Sequence, residues 1–324
     1  MKISPSYQLC VLSEEEYNEK MPQISSQLSA CAQEGTFQGF DGVKLYYEYF
    51  QAQDSHGAVV IVHGLSEFTK KYHEFAWYFL NQGYDVFLYD QRCHGRSARL
   101  TARKDLIHVD NFADYTKDLH CFVNNVVRKV TDKPLYLYGH SMGGAISARY
   151  LARYPEVFRK AVLSAPMIQP MTRGVPVIVA QVALTFCVWA GQGKKKFWGA
   201  DEFDSEYPFE RTHDRSRARF ERNMQIRRND EHYCTTPQSI RWVQGSVLLR
   251  SKLTGKGFLR KIKTPILMIC GELDTVVRLD AQLDFEKNCP ACRRVVLNNA
   301  THSMICGTQE TITEYVTQVL EHFR

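Results

Sequence analysis

Strong charge of either sign is missing from this chain. Its 324 residues carry 41 Lys and Arg against 35 Asp and Glu, a formal net charge of +6, with both signs interspersed over most of the length. No electrostatic footprint for a nucleic acid is present, and a solubilising surface accounts for the charge. A basic-then-apolar leader is missing as well. The ten cysteines, several of them in apolar segments such as those around Cys187 and Cys270, therefore read as buried, reduced thiols of a cytoplasmic protein rather than as a disulfide framework. Cys289-Pro290-Ala291-Cys292 has no second pair at zinc-finger spacing, so it reads as a structural loop and no metal site is expected. The strongly apolar run over residues 175–190 is short for a membrane span and has a proline near its start, which argues against a transmembrane helix.

What is present is a rhythm. At 44% hydrophobic and this length, the chain can fill one large α/β domain carrying an insertion. Residues 1–35 are polar, with Glu14-Glu15-Glu16 and scattered Ser and Gln, and are expected to form a peripheral arm or short helix. Gly39-Phe40-Asp41-Gly42 is a hairpin signal and residues 43–50 are rich in β-forming aromatics, so an antiparallel hairpin should open the sheet. Apolar runs at 58–62, 86–89, 135–138 and 160–164 fit parallel strands buried on both faces. Amphipathic helices are expected between them, over 72–81, over 110–127 and after Gly144. The alternation stops near Met167 and resumes with strands at 264–270 and 294–297 and a last helix over 308–323. This predicts an α/β fold with a mostly parallel central sheet and helices on both faces, built from residues 36–166 and 258–324. Residues 167–257 are expected to form a helical cap over the carboxyl edge of that sheet.

Gly139-His140-Ser141-Met142-Gly143 fits G-x-S-x-G between an apolar strand and an amphipathic helix, the context a nucleophile elbow requires. The serine is forced there into a backbone conformation that only small neighbours permit. Its hydroxyl stands at the carboxyl edge of the sheet, and the Met142 amide at the helix start points into the same space. After the strand at 58–62, His63-Gly64-Leu65 turns so that the Leu65 amide can be the second oxyanion donor. A serine hydroxyl is almost un-ionised at neutral pH, so attack needs a base, and the base needs a carboxylate to fix its tautomer. Asp274, in Gly271-Glu272-Leu273-Asp274 after a strand, is the expected acid; Glu272 is nearer the strand, but the longer loop lets Asp274 swing towards the elbow. His302, between the last strand and the last helix, is the expected base, and it alone of the eleven histidines has that position. His63 and His140 adjoin the pocket by sequence and read as structural or wall residues, in the latter case in reach of substrate. His94 and His108 fall in loops, and Asp90 takes a structural role with Arg92 as its partner.

These motifs resemble the α/β-hydrolase superfamily of serine hydrolases and, within it, the group of the lysophospholipases L2 and monoacylglycerol lipases. The residues that carry the resemblance are His63-Gly64 with Glu67 and Lys71-Tyr72, Asp90-Gln91-Arg92-Cys93-His94-Gly95-Arg96-Ser97, Phe112-Ala113-Asp114-Tyr115, the elbow with Gly144, and Ser164-Ala165-Pro166-Met167. Within the insertion, Thr212-His213-Asp214-Arg215-Ser216-Arg217, Arg222-Asn223 and Arg241-Trp242-Val243 resemble the cap of the lysophospholipases L2. Cys93 stands where the family usually has glycine. The resemblance implies Ser141, Asp274 and His302 as nucleophile, acid and base, Leu65 and Met142 amides as the oxyanion hole, no metal or organic cofactor, and a small lipid ester as substrate.

The cap sharpens the substrate question. The run over 175–190 is apolar nearly all round, which fits a helix buried against the catalytic domain, an acyl-chain wall in which Trp189 meets substrate, or a lid touching the inner face of the membrane with Lys194-Lys195-Lys196 and Trp198 at its edge. The arginine-rich run over 211–228 reads either as a solvated helix paired with Asp214 and Glu221 or as a site for a phosphate headgroup. The expected activity is hydrolysis of a carboxylic ester of a lysophospholipid or monoacylglycerol. Another ester, amide or carbon–carbon bond hydrolysis on the same fold, and a non-catalytic binding scaffold, remain as alternatives.

Overall fold

A computed structural model describes residues 1–172 and 174–324. The strands are β1 (Gln33–Gln38), β2 (Lys44–Phe50), β3 (Gly57–Val62), β4 (Tyr84–Tyr89), β5 (Leu135–His140), β6 (Lys160–Ser164), β7 (Ile266–Gly271) and β8 (Cys292–Leu297). They form one sheet in the order β1-β2-β4-β3-β5-β6-β7-β8. β1 and β2 pair antiparallel across a tight turn in which Asp41 has φ 59° and Gly42 φ 78°. β2 meets β4 antiparallel, and from β4 onward every neighbour is parallel. Every residue of β3, β4, β5 and β7 is buried, which is why these strands appear in the sequence as unbroken apolar runs.

Alternate strand residues feed two cores, one on each face of the sheet. Val60 and Val62 point into a core shared with α3 (Ala113–Phe122), α4 (Met142–Arg153) and α8 (Leu279–Asn288). Val59 and Ile61 point into the other, which is closed by α1 (Glu14–Cys31), α2 (His73–Asn81) and α9 (Gln309–Phe323). α1 starts on a capping box, with Ser13 and Glu16 satisfying each other's amides, and buries Tyr17, Met21, Ile24, Leu28 and Cys31. The amino-terminal segment, expected as a peripheral arm, is thus part of the second core. Its helical spacing is diluted in the sequence by the polar residues around it.

Between β6 and β7 the chain leaves the sheet for the cap, whose helices include α5 (Val177–Cys187), α6 (Arg217–Asn229) and α7 (Ile240–Val247). α5 is held to α7 by a small cluster around Leu184, Ile240 and Val247. Among the described residues no helix is long and apolar enough to cross a membrane.

The turn after β4 corrects one expectation. Arg92 does not pair with Asp90. Its Nε and Nη2 donate to the two oxygens of Asp118 on α3 at 2.6 and 2.7 Å, a forked pair whose side chains are 2% and 1% exposed. Asp90 accepts instead from the amides of Thr69 and Arg96, both at 2.8 Å, and so closes the turn on itself. Cys93 lies in that turn with φ 63° and a buried side chain. A left-handed conformation of this kind costs a non-glycine residue about 1–2 kcal/mol. Removing one partner of a buried pair leaves the other charge uncompensated, so Arg92→Ala is expected to lose about 3–5 kcal/mol in urea unfolding; a loss below about 1 kcal/mol would show that the pair does not brace the fold.

Candidate active site

β5 ends at His140, α4 begins at Met142, and Ser141 takes the corner between them with φ 51° and ψ −114°. The corner is tight because the helix start is pressed against the end of β3. A Cβ on Gly143 would lie 2.0 Å from the Val62 carbonyl oxygen, and one on Gly139 2.4 Å from Ser147 Oγ. Any side chain at these positions would push the elbow off the sheet, so both must be glycine. The serine backbone is fastened on both sides: its amide donates to the Ser164 carbonyl at 2.9 Å, and its carbonyl accepts from the amides of Ala145 at 3.1 Å and Met167 at 2.9 Å.

Loops after β7 and β8 bring Asp274 and His302 to this corner. His302 Nε2 lies 2.9 Å from Ser141 Oγ, and His302 Nδ1 lies 2.7 Å from Asp274 Oδ2. The other oxygen, Oδ1, accepts from the amides of Val276 at 2.8 Å and Val277 at 3.1 Å. With the carboxylate so committed, the proton belongs on Nδ1 and the Nε2 lone pair faces the serine hydroxyl. Burial pushes the Asp274 carboxyl up, but the hydrogen bond and charge of His302 and the two amides outweigh it and hold it below its ordinary value. Glu272, the nearer carboxylate in sequence, is exposed and accepts from the Asn299 amide at 3.0 Å.

The Met142 amide follows the serine directly and the Leu65 amide lies in the turn after β3; among the described residues neither donates a hydrogen bond that the fold records. The turn carrying Leu65 is set by a buried residue that the motif reading quoted without assigning a task. Glu67 accepts from the Gly64 amide at 2.6 Å, from Tyr72 Oη at 2.6 Å and from Lys71 Nζ at 2.7 Å. Burial alone would raise its carboxyl; Lys71, helped by His140 and Tyr72, outweighs this and holds it well below the carboxylate range. The i, i+4 spacing of Glu67 and Lys71 is the signal that could have found this pair.

Of the three residues placed in reach of substrate, His63 and His140 take the structural alternative and Trp189 faces solvent. His63 is 2% exposed; its Nδ1 donates to the Gly64 carbonyl at 2.7 Å and its Nε2 accepts from the Gln91 amide at 3.0 Å. Both ring nitrogens are spent on the turn, so His63 is a strut rather than a substrate contact. His140 is buried behind the base, 5.1 Å from the His302 ring centre, with Nδ1 3.3 Å from Ser164 Oγ. Trp189 is 82% exposed on the outside of the cap, beside Phe186, because α5 turns its inner face to α7 and leaves this face to solvent. His94 is buried on the Arg92 carbonyl at 3.0 Å, and His108 ties the sheet side to the cap through Ser239 Oγ at 2.9 Å.

The cap rests on the site from above. Ser66 Oγ donates to the Thr236 carbonyl at 3.3 Å, the rings of Phe68 and Tyr233 are 4.5 Å apart, and Ile107 bridges to Gln238. Ser141 is left 6% exposed. The arginine run is in part the solvated, ion-paired face, with Arg217 exposed beside Glu210 and Arg228 3.8 Å from Glu221, and in part engaged within the fold. Arg217 pairs with Glu210 and Arg219 with Glu74, while Arg222 donates to Ser25, Arg227 to the Tyr233 carbonyl and Thr236, and Arg228 to the Ser205 carbonyl.

Burial pushes the imidazoles of His63 and His140 down to about 4 from an ordinary 6.5. The folded chain therefore binds fewer protons than the unfolded chain between those values. Stability is full above pH 6.5 and is lost as pH falls towards 4, by up to about 3 kcal/mol for each histidine. Urea unfolding at pH 7.5 and pH 5 is expected to show this drop, and an unchanged midpoint would contradict it.

The family described as serine aminopeptidase, S33, matches residues 53–309. The chain is 34% identical over 257 residues to lysophospholipase L2 of Escherichia coli K12, covering 75% of this chain and 71% of that protein. It is 32% identical to a monoacylglycerol lipase of Mycolicibacterium smegmatis over 47% of this chain and 53% of that one. A thermostable carboxyl esterase from Bacillus coagulans, solved in complex with glycerol, superposes with a TM-score of 0.72 at 20% identity, over 90% of this chain and 97% of the esterase. Matched over most of its length in both sequence and fold, the chain belongs to the S33 family of α/β-hydrolases and to the class of the carboxylic-ester hydrolases.

Proposed function

We propose that this enzyme hydrolyses the carboxylic ester of a single-chain lipid, a lysophospholipid or a monoacylglycerol, through an acyl-Ser141 intermediate. The observation that carries the reading is the unbroken line from Asp274 through His302 to the Ser141 hydroxyl, with Nδ1 and Nε2 at 2.7 and 2.9 Å from their partners. His302 Nε2 takes the hydroxyl proton as Ser141 Oγ attacks the ester carbonyl, and Asp274 stabilises the imidazolium that results. The amides of Leu65 and Met142 hold the oxyanion of the tetrahedral intermediate, where fixed dipoles lower the barrier without reorganising. Collapse breaks the bond to the alcohol oxygen, which leaves with the proton from His302. Water, deprotonated by the same nitrogen, then attacks the acyl carbon and releases the fatty acid with Ser141 Oγ re-protonated.

Relatives named lysophospholipase L2 and monoacylglycerol lipase support the substrate class, and so does the cap surface. Ile178, Val182, Phe186 and Trp189 form an exposed apolar stripe along α5 and beyond it, with Trp198 and residues 194–196, all lysine, at its far end. A stripe of this kind beside basic residues suits the interface of an anionic bilayer, where such substrates reside. The engaged arginines of α6 give a phosphate headgroup no advantage there.

The test is a panel of lysophospholipids, monoacylglycerols and p-nitrophenyl esters of rising chain length, with released fatty acid measured. Long-chain lipid esters are expected to be turned over, Ser141→Ala to abolish release, and Asp274→Asn to lower kcat by about 10³–10⁴-fold by losing the correct tautomer. Full activity in either variant, or no ester turnover at all, would refute the assignment. Sedimentation with vesicles rich in anionic lipid is expected to capture the enzyme, with Phe186→Ala/Trp189→Ala weakening capture at least about 10-fold; equal capture of the double variant would remove the membrane from the account.

A further inference from the structure

The cap also reaches the site from behind. The His213 carbonyl accepts from Thr301 Oγ1 at 2.6 Å, and His213 Nδ1 lies 3.5 Å from Thr275 Oγ1. Two residues on, the amides of Arg215 and Ser216 donate to the Cys306 carbonyl at 2.7 and 3.0 Å. Thr275 follows Asp274 and Thr301 precedes His302, so one short piece of cap, residues 213–216, touches the loop of the acid and both sides of the loop of the base. The two loops leave neighbouring strands and meet near their bases, where the Leu273 amide donates to the Ala300 carbonyl at 2.9 Å and the Asn299 amide to Glu272 at 3.0 Å; residues 213–216 add contacts beside Asp274 and His302 themselves, beyond those ties.

That piece of cap is anchored in turn by the amino-terminal helix. The Glu14 carboxylate accepts from the Ala218 amide at 2.7 Å and from Ser216 Oγ at 2.5 Å, capping the start of α6, where the free amides and helix dipole favour an anion. One turn further on, Arg219 is 2% exposed. It donates to the Glu74 oxygens at 2.6 and 3.0 Å and to the Leu12 carbonyl at 2.9 Å, with its guanidinium 4.6 Å from the Tyr17 ring. Tyr78 completes the knot, donating to Glu74 at 2.6 Å and accepting from the Leu12 amide at 3.0 Å.

We propose that Glu14 and Arg219 are positioning residues for the Asp274–His302 pair. α1, which lies outside the span matched by the family at residues 53–309, clamps residues 213–216 against the two loops and so keeps the imidazole in line between Asp274 and Ser141. This rests on the reading of those three residues as the catalytic set. A displacement of about 1 Å at such a group costs about 100-fold in rate, whereas losing one helix cap lowers stability only slightly. The Glu14 side chain is 46% exposed, so its removal opens no cavity. The loosened clamp therefore shows first in the chemical step.

The experiment compares wild type, Glu14→Ala, Glu14→Gln and Thr301→Val, which breaks the other end of the clamp. Readouts are the rate of Ser141 labelling by a fluorophosphonate, kcat and KM on a soluble ester, and the melting temperature. Glu14→Ala and Thr301→Val are expected to slow labelling and lower kcat by about 10-fold with KM within about two-fold, and Glu14→Gln, which keeps an acceptor for the Ala218 amide, to recover most of the loss. Labelling of folded Glu14→Ala and Thr301→Val at the wild-type rate would overturn the proposal, as would a Glu14→Gln no better than Glu14→Ala. Were Glu14→Ala not to fold, Thr301→Val alone decides by the same criterion. A wild type that the probe does not label at all would overturn the catalytic reading itself.

Discussion

The structure depends on one backbone conformation that Ser141 adopts under compulsion. At φ 51° and ψ −114° the residue is strained, and it stays there because the surroundings leave no alternative. The end of β3 lies against Gly143, Ser147 lies against Gly139, and three main-chain hydrogen bonds to β6, α4 and the chain beyond fasten the corner. From that corner the hydroxyl projects over the sheet edge, and the Met142 amide has no acceptor among the described residues. The parallel strands supply the rest: each ends at the same edge, so the turns that follow β7 and β8 deliver a carboxylate and an imidazole to Ser141.

A second layer of buried polar groups holds those turns. Glu67 with Lys71 and Tyr72 shapes the turn bearing Leu65, Asp90 closes the turn after β4, and Arg92 with Asp118 ties that turn to α3. Each group is satisfied, as a buried network must be if it is to brace rather than weaken a fold. The cap adds a third layer, resting on the turn after β3 through Ser66 and Thr236 and on the loops of Asp274 and His302 through His213 and the Cys306 carbonyl. α5 is the exception, held by one small cluster and showing an apolar face to solvent.

The legibility of these layers in the sequence follows their physics. β3, β4, β5 and β7 are plain because strands buried on both faces must be apolar throughout, and the elbow is plain because two glycines and a serine cannot be exchanged there. Asp274 and His302 could be picked out by loop position alone, and the geometry brings both to Ser141. What the sequence hides is partnership across the fold. Arg92 finds Asp118 26 residues away on a helix rather than Asp90 two residues before it, and Arg219 finds Glu74 145 residues away. The docking of α1 was obscured because Tyr17, Met21, Ile24, Leu28 and Cys31 are spaced among charged residues. The direction of Trp189 is hidden for a related reason: an apolar run does not say which way one ring points, and the packing of α5 on α7 decides that.

The central claim is that a nucleophile, its base and two idle amides converge at one corner, and a crystal structure of the fluorophosphonate adduct tests it most directly. The account predicts a covalent bond to Ser141 Oγ, the phosphonyl oxygen within about 3 Å of the Leu65 and Met142 amide nitrogens, and His302 Nε2 facing the ester oxygen. An adduct on another residue, or a phosphonyl oxygen turned away from both amides, would contradict it.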